Sequence, residues 1–219
     1  MPIFLLIRHA ETDYNKKSRI ASRLPGVHLN HTGKQQAQLL ADKLATAPIK
    51  AIHSSPLERA IETAEPLARA LNLEIVPNPG LLETDCGDWQ GQSVKKLHRQ
   101  KIWQSVQLHP STFHFPGGEW IGACQHRMVQ VLETLRPCYS PQDLVACFSH
   151  SDPIKQLVAY YLGLPLDNFQ RLSIDLASIT ALQITEAGTR LFMLNYNPGF
   201  SGEFFQHPKT GKRRSASKS

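Results

Sequence analysis

The sequence predicts a layered α/β domain on a largely parallel sheet. Three observations predict it. Strand-like and helix-like stretches alternate along most of the chain. Residues 3–7 and 144–148 are apolar at consecutive positions, as in strands covered on both faces. No internal repeat and no Pro/Gly/Ser-rich linker divides residues 1–205, so a single domain is expected there.

Residues 3–7 (Ile-Phe-Leu-Leu-Ile) read as the first buried strand. Residues 32–45 read as a helix with Ala37, Leu40, Ala41 and Leu44 on one face. Residues 51–53 form a short strand. Ser55-Pro56 then starts a helix, Ser as N-cap and Pro at the first helical position, running to Leu71 with Ala60, Ala64 and Leu67 inward. Residues 73–76 are a third strand. Residues 77–118 are loop-rich, with a helix over 92–101. A longer helix spans 119–135 and ends before Pro137, and 144–148 is a further buried strand. Asp152-Pro153 opens a helix that stops at Gly163, and 179–185 with 190–195 form a hairpin turning at Ala187-Gly188.

Composition narrows the function classes. The chain has 219 residues, 41% hydrophobic and 19% charged, enough apolar material for a sizeable core. No apolar run approaches the roughly 20 residues of a membrane span, and the N-terminus lacks the basic region and apolar length of a signal peptide. Five of the six net positive charges fall in residues 206–219 (Lys209, Lys212, Arg213, Arg214 and Lys218, with no acid), leaving +1 for residues 1–205. That segment is expected to be a disordered basic tail, and nucleic-acid binding would rest on it alone. Cys86, Cys124, Cys138 and Cys147 form no CxxC pair. No disulfide framework or zinc site is expected, and a reducing, cytoplasmic location is. The pairs His28/His31 and His109/His114 lack a nearby Cys or carboxylate to complete a metal site and read as surface histidines.

In sheets of this class ligands bind beyond the carboxyl ends of the strands. After the first strand stands Arg8-His9-Ala10-Glu11-Thr12. After the second stands Ser54-Ser55-Pro56-Leu57-Glu58-Arg59, and after the 144–148 strand Ser149-His150-Ser151-Asp152-Pro153. Two arginines and two histidines thus arrive at strand ends from three distant parts of the chain, beside two helix N-termini. Guanidinium forks, imidazoles and backbone N–H groups converging on one point describe a phosphate site.

These segments resemble the histidine phosphatase superfamily, the phosphoglycerate-mutase-like fold. Leu6-Ile7-Arg8-His9-Ala10-Glu11-Thr12 is similar to its Arg-His-Gly signature, with Ala10 for the usual Gly. In order follow residues 23–37, Ser54–Ala60 with Thr63-Ala64, Glu83 through Gly87 to Gly91, Pro116-Gly117-Gly118-Glu119 and Ser149-His150. The resemblance covers roughly residues 3–200. It implies a three-layer αβα sandwich with a mostly parallel central sheet. It also implies a phosphatase that hydrolyses a small-molecule phosphomonoester without metal or other cofactor. His9 would be the nucleophile and Glu83 the general acid; Asp85 and Asp88, in the same loop, are the next candidates should Glu83 not be the acid. Arg8, Arg59 and His150, helped by Asn15, would bind the phosphoryl oxygens, a protonated His150 adding a third donor.

The same fold hosts mutases, which carry a long insertion between the acid and the last histidine. Here 67 residues separate Glu83 from His150, which favours a phosphatase over a mutase-type phosphotransferase. A phosphate-binding regulator without turnover is the other alternative; it would lack a catalytic residue, and none is missing. The expected partner is a small phosphorylated metabolite, with a homodimer possible and no membrane. Ser151-Asp152-Pro153 replaces the family's common Gly-Gly, and Asp152 is expected to turn away as a helix cap. The pocket wall is expected from residues 85–120 and the loop after Asn15. These hold Arg19, Arg23, Lys95, Lys96, Trp89, Trp103 and Trp120, a mix that suits a second anionic group plus a ring.

Overall fold

A computed structural model describes residues 2–199. The expected tail at 206–219 and the last residues of the expected domain lie outside the described residues. Six strands form one sheet in the order β3-β2-β4-β1-β5-β6. They are β1 (Ile3–Arg8), β2 (Ile49–Ser54), β3 (Ile75–Pro77), β4 (Leu144–Ser149), β5 (Ile179–Thr185) and β6 (Gly188–Tyr196). The first four run parallel to one another; β5 pairs antiparallel with β1, and β6 pairs antiparallel with β5. The hairpin β5–β6 needs only a tight turn. The parallel pairs need crossovers, and the helices supply them.

Alternation along the central strands divides the core in two. Phe4 and Leu6 of β1, with Val145 and Cys147 of β4, face one side. There they pack on Met128, Leu132 and Leu135 of α6 (Ile121–Leu135) and on Ile154, Leu157 and Val158 of α7 (Ser151–Tyr161). Leu5, Ile7, Ala146 and Phe148 face the other side, against Leu40 and Ala41 of α2 (His31–Leu44) and Ala64 and Leu67 of α3 (Glu58–Leu71). The result is a three-layer αβα sandwich, as expected. α1 (Asp13–Lys16) is a single turn after β1, closed by a reciprocal cap between Thr12 and Asn15.

Residues 86–121 build a smaller apolar cluster of their own around Trp89, Leu97, Val106, Phe113 and Phe115, extending to Ala159 and Phe169. The expected helix over 92–101 is instead two, α4 (Val94–Leu97) and α5 (Lys101–Leu108). The break at Gln100 lets Leu97 and Val106 both point into this cluster. Gly87 fastens the cluster to the site. It sits at φ +48°, and a Cβ there would lie 2.2 Å from the carbonyl oxygen of Pro116, so only glycine allows residues 83–91 to lie against 116–118.

Two further helix starts differ from the pattern-based reading. α3 begins at Glu58, three residues after Ser55, because the Ser55 N–H donates to Phe148 O (2.9 Å) and its hydroxyl meets His150. α6 begins at Ile121, because the Glu119 side chain is drawn into an arginine network.

Candidate active site

β1 and β4 are neighbours in register, Arg8 opposite Ser149, so the residues that follow them emerge side by side. His9 and His150 therefore face one another, ring centroids 5.2 Å apart. Arg59 comes from the first turn of α3 and is 1% exposed. A cavity of about 350 Å³ opens over these groups and is lined by Arg8, His9, Asn15, Arg59, Glu83 and Asp152. The structure thus brings together Arg8, His9, Asn15, Arg59, Glu83 and His150.

Hydrogen-bond chemistry fixes both tautomers. His9 Nδ1 lies 2.7 Å from the carbonyl oxygen of Ala10. A carbonyl only accepts, so Nδ1 carries the hydrogen and Nε2 keeps its lone pair. Arg59 Nη2 lies 3.3 Å from His150 Nδ1, and a guanidinium only donates, so Nδ1 accepts and Nε2–H faces Ser55 Oγ at 2.9 Å. Burial first, then the charges of Arg59 and Arg8, hold His9 well below the usual imidazole range. Burial, Arg59, His9 and Arg8 do the same to His150. Both shifts favour the neutral ring in the free protein.

The arginines are poised for an anion. Arg8 Nη1 donates to Ile174 O (2.6 Å) and Arg59 Nη2 to Ser22 O (2.6 Å). Arg8 Nε, Arg59 Nε and Arg59 Nη1 are buried without a hydrogen-bond partner among the described residues. A buried unpaired donor is costly, more so when charged. Three of them at one pocket make a tetrahedral oxyanion a fitting ligand. Asn15 lines the same cavity. Its Oδ1 accepts from Thr12 N (3.0 Å) and Thr12 Oγ1 (2.7 Å), so only its amide N–H groups remain to donate.

Glu83 stands across from the histidines, Oε2 4.0 Å from His150 Nδ1. Burial, with the like charge of Asp152, pushes its carboxyl up to about 7 against the pull of Arg59 and Arg8. Its backbone is held by arginines outside the cavity. Arg23 Nε donates to Glu83 O (2.8 Å), and Arg127 Nη1 donates to Gly80 O (2.7 Å) and Leu82 O (2.9 Å). Glu119 Oε1 ties both guanidiniums together, at 2.9 and 3.1 Å.

Asp152 is not the cap of α7. His150 holds the N-cap position, and Asp152 lies in the first turn, faces the cavity and pairs with Lys155 at 3.3 Å. The positive end of the helix dipole accounts for a carboxylate tolerated there. Of the expected wall residues, Arg19, Trp89 and Trp103 line the cavity. Arg23 belongs to the Glu119 network, and Trp120 is 53% exposed beside His114.

The sequence reading gave no site role to Ser22, Ser55 or Thr63. Ser22 accepts from Arg59, and Thr63 Oγ1 accepts from Ala10 N (2.9 Å) while donating to Arg59 O (2.6 Å). The spacing of Arg59 and Thr63, one helical turn, was the available signal. Among the described residues no group of three or more His, Cys, Asp or Glu side chains is placed to hold a metal ion. No helix among them is long and apolar enough to cross a membrane.

Residues 4–197 match the family model of the histidine phosphatase superfamily, branch 1. Phosphoserine phosphatase 1 of Hydrogenobacter thermophilus is 31% identical over 203 residues, covering 92% of this chain and 95% of that protein. A bifunctional protein of Mycobacterium tuberculosis is 32% identical over 90% of this chain, which spans only 54% of that longer relative. The solved structure of a mycobacterial glucosyl-3-phosphoglycerate phosphatase superposes with a TM-score of 0.81 at 27% identity, over 89% of this chain and 99% of that one.

Proposed function

Because the chain belongs to the histidine phosphatase superfamily, we propose that it is a phosphatase hydrolysing a small-molecule phosphomonoester through a phosphohistidine on His9. The observation that carries this reading is the His9 Nε2 lone pair, set beside buried guanidinium donors without partners.

In the first half-reaction Nε2 attacks phosphorus. The N–P bond forms as the ester P–O bond breaks, and Glu83 gives its proton to the departing alkoxide. Charge on the three equatorial oxygens is met by Arg8 and Arg59, by the N–H groups of Asn15 and by His150, whose ring takes a proton from solvent as the anionic ester binds. The neutral His9 ring needs no proton removed before attack, and the Ala10 carbonyl supports the positive charge that develops on it. In the second half-reaction the Glu83 carboxylate takes a proton from water. Its oxygen attacks phosphorus, His9 leaves, and inorganic phosphate is released with Glu83 protonated again. The two arginines supply the charge that a metal ion supplies in other phosphatases, so no cofactor is required. Four free cysteines, three of them buried, suit a reducing cytoplasm.

Rapid acid quench with a phosphorus-labelled ester tests the proposal. The protein should carry acid-labile, base-stable label, and His9→Ala should carry none. Label that persists in His9→Ala places the nucleophile elsewhere.

A further inference from the structure

The phosphoryl end occupies only part of the cavity. The opposite wall comes from the small cluster built by residues 86–121. Trp89, Trp103, Val106 and Phe115 face the cavity from it, joined by Ile20 and Val94. The indoles of Trp89 and Trp103 are stacked, 5.8 Å apart and 16° from parallel, and Phe115 meets Trp89 edge-on at 5.4 Å. Trp89, Val106 and Phe115 are held in the cluster's own core, so the wall is formed before substrate arrives.

A leaving group with a second anionic group would need a cation on this side. Arg23 is spent on Glu119, Asp85 and the Glu83 carbonyl. Lys155 is shared between Asp152 (3.3 Å) and Gln170 (3.2 Å). Arg19 lines the cavity, but it is exposed and its Nε donates to Gly91 O (2.8 Å), so solvent screens it. The Asp152 carboxylate also lines the cavity, paired through Oδ1 with Lys155 (3.3 Å) and close enough to oppose ionisation of Glu83.

Resting on the phosphatase reading above, we propose that the substrate is a phosphomonoester whose alcohol carries an apolar ring and no second anionic group, the ring being favoured by the wall at Trp103 and a carboxylate on the alcohol being disfavoured by Asp152. The Trp103 indole is already flanked by Trp89 and His98 (4.2 Å), so a substrate ring meets the wall by its apolar surface, and that transfer favours the first class. Repulsion between Asp152 and a carboxylate opposes the second. Pocket contacts of this kind discriminate by about 10–200-fold in kcat/KM. The preference therefore runs opposite to the carboxylated esters named for the relatives above.

The test compares kcat/KM for 2-phenylethyl phosphate, ethyl phosphate, O-phosphoserine and 3-phosphoglycerate, with p-nitrophenyl phosphate as the control ester. All four alkyl esters need the acid, so ratios among them cancel any change in Glu83. The phenylethyl ester should exceed both ethyl phosphate and 3-phosphoglycerate by at least about tenfold. Trp103→Ala should reduce the phenylethyl-to-ethyl ratio about tenfold, with Trp103→Leu repeating the change if the smaller residue loosens the fold. Asp152→Asn should raise the 3-phosphoglycerate-to-ethyl ratio several-fold. A wild-type preference for phosphoserine or 3-phosphoglycerate, with turnover intact, overturns this inference alone. Absence of turnover on every ester, p-nitrophenyl phosphate included, overturns the phosphatase reading beneath it.

Discussion

The substitution Glu83→Gln keeps an oxygen for the Thr84 N–H, which now donates to Glu83 Oε1 at 2.9 Å, and removes both the acidic proton and the latent charge. Two measurable effects follow from one carboxyl raised to about 7. The first is catalytic. An alkyl alkoxide must be protonated as it leaves, whereas p-nitrophenolate leaves unaided. Turnover of ethyl phosphate should fall by the roughly 10²–10⁴-fold typical of a lost general acid, and that of p-nitrophenyl phosphate far less. In the parent, ethyl phosphate turnover should decline above pH 7, to about a tenth by pH 8, as the carboxyl loses its proton.

The second effect is on stability and has the opposite sign. A carboxyl whose pKa is raised by folding adds stability below its unfolded value near 4.5, and that contribution is lost as pH climbs through 7. Each tenfold change in the ionisation constant is worth ~1.4 kcal/mol. Above pH 8 the parent therefore carries a penalty on the order of 3 kcal/mol that the Gln variant lacks. In a domain of this size that corresponds to a melting temperature roughly 5–10 °C higher for the variant, and the gap should close below pH 4.5. Thermal unfolding followed by circular dichroism across pH 4–9, beside the two assays, checks both. Equal losses on the two esters, or a Tm difference independent of pH, would refute the reasoning; Asp85 and Asp88 do not line the cavity, and Asp152 is the further carboxylate that does.

Arg59→Ala should lower kcat/KM by about 10²–10³-fold on alkyl and aryl esters alike, the cost of one lost oxyanion donor; a loss confined to alkyl esters would tie Arg59 to the leaving group. Turnover of p-nitrophenyl phosphate should survive EDTA, and loss on chelation restored by added divalent cation would contradict the arginine-based site. Truncation after Gln206 should leave Tm and kcat/KM unchanged at physiological salt, because residues 207–219 hold charge but little that can pack. A loss of activity that persists in high salt would show that the basic segment reaches the site.

The sheet and the candidate site were legible because both are written in short local patterns. Consecutive apolar residues in β1 and β4 announced strands buried on both faces, and the rule that ligands gather at their carboxyl ends led to Arg8, His9, Arg59 and His150. What stayed hidden depends on partners far away in sequence. Ser55-Pro56 has the local form of a helix start, yet the hydroxyl serves a histidine 95 positions later. Asp152 has the composition of a cap, but the backbone of His150 already fills that position and the carboxylate turns to the cavity. The division of 92–108 into two helices follows from a tertiary cluster around Trp89 that no periodicity along the chain encodes.

The division of labour within the cavity has a consequence for partial unfolding. The proposed phosphoryl site hangs from β1 and β4, the two central strands of the sheet, sealed by two helical layers. The ring-facing wall hangs partly from α4 and α5, helices of four and eight residues, too short to persist without the packing around Trp89. Such segments open locally at a fraction of the free energy needed to unfold a central strand. Amide exchange should therefore run faster at residues 94–108 than at 3–8 or 144–149. As denaturant is raised, substrate choice should blur while phosphate is still being released. The ring-facing wall is therefore the less stable side of the cavity, and substitutions in α4 and α5 should strain the central strands little.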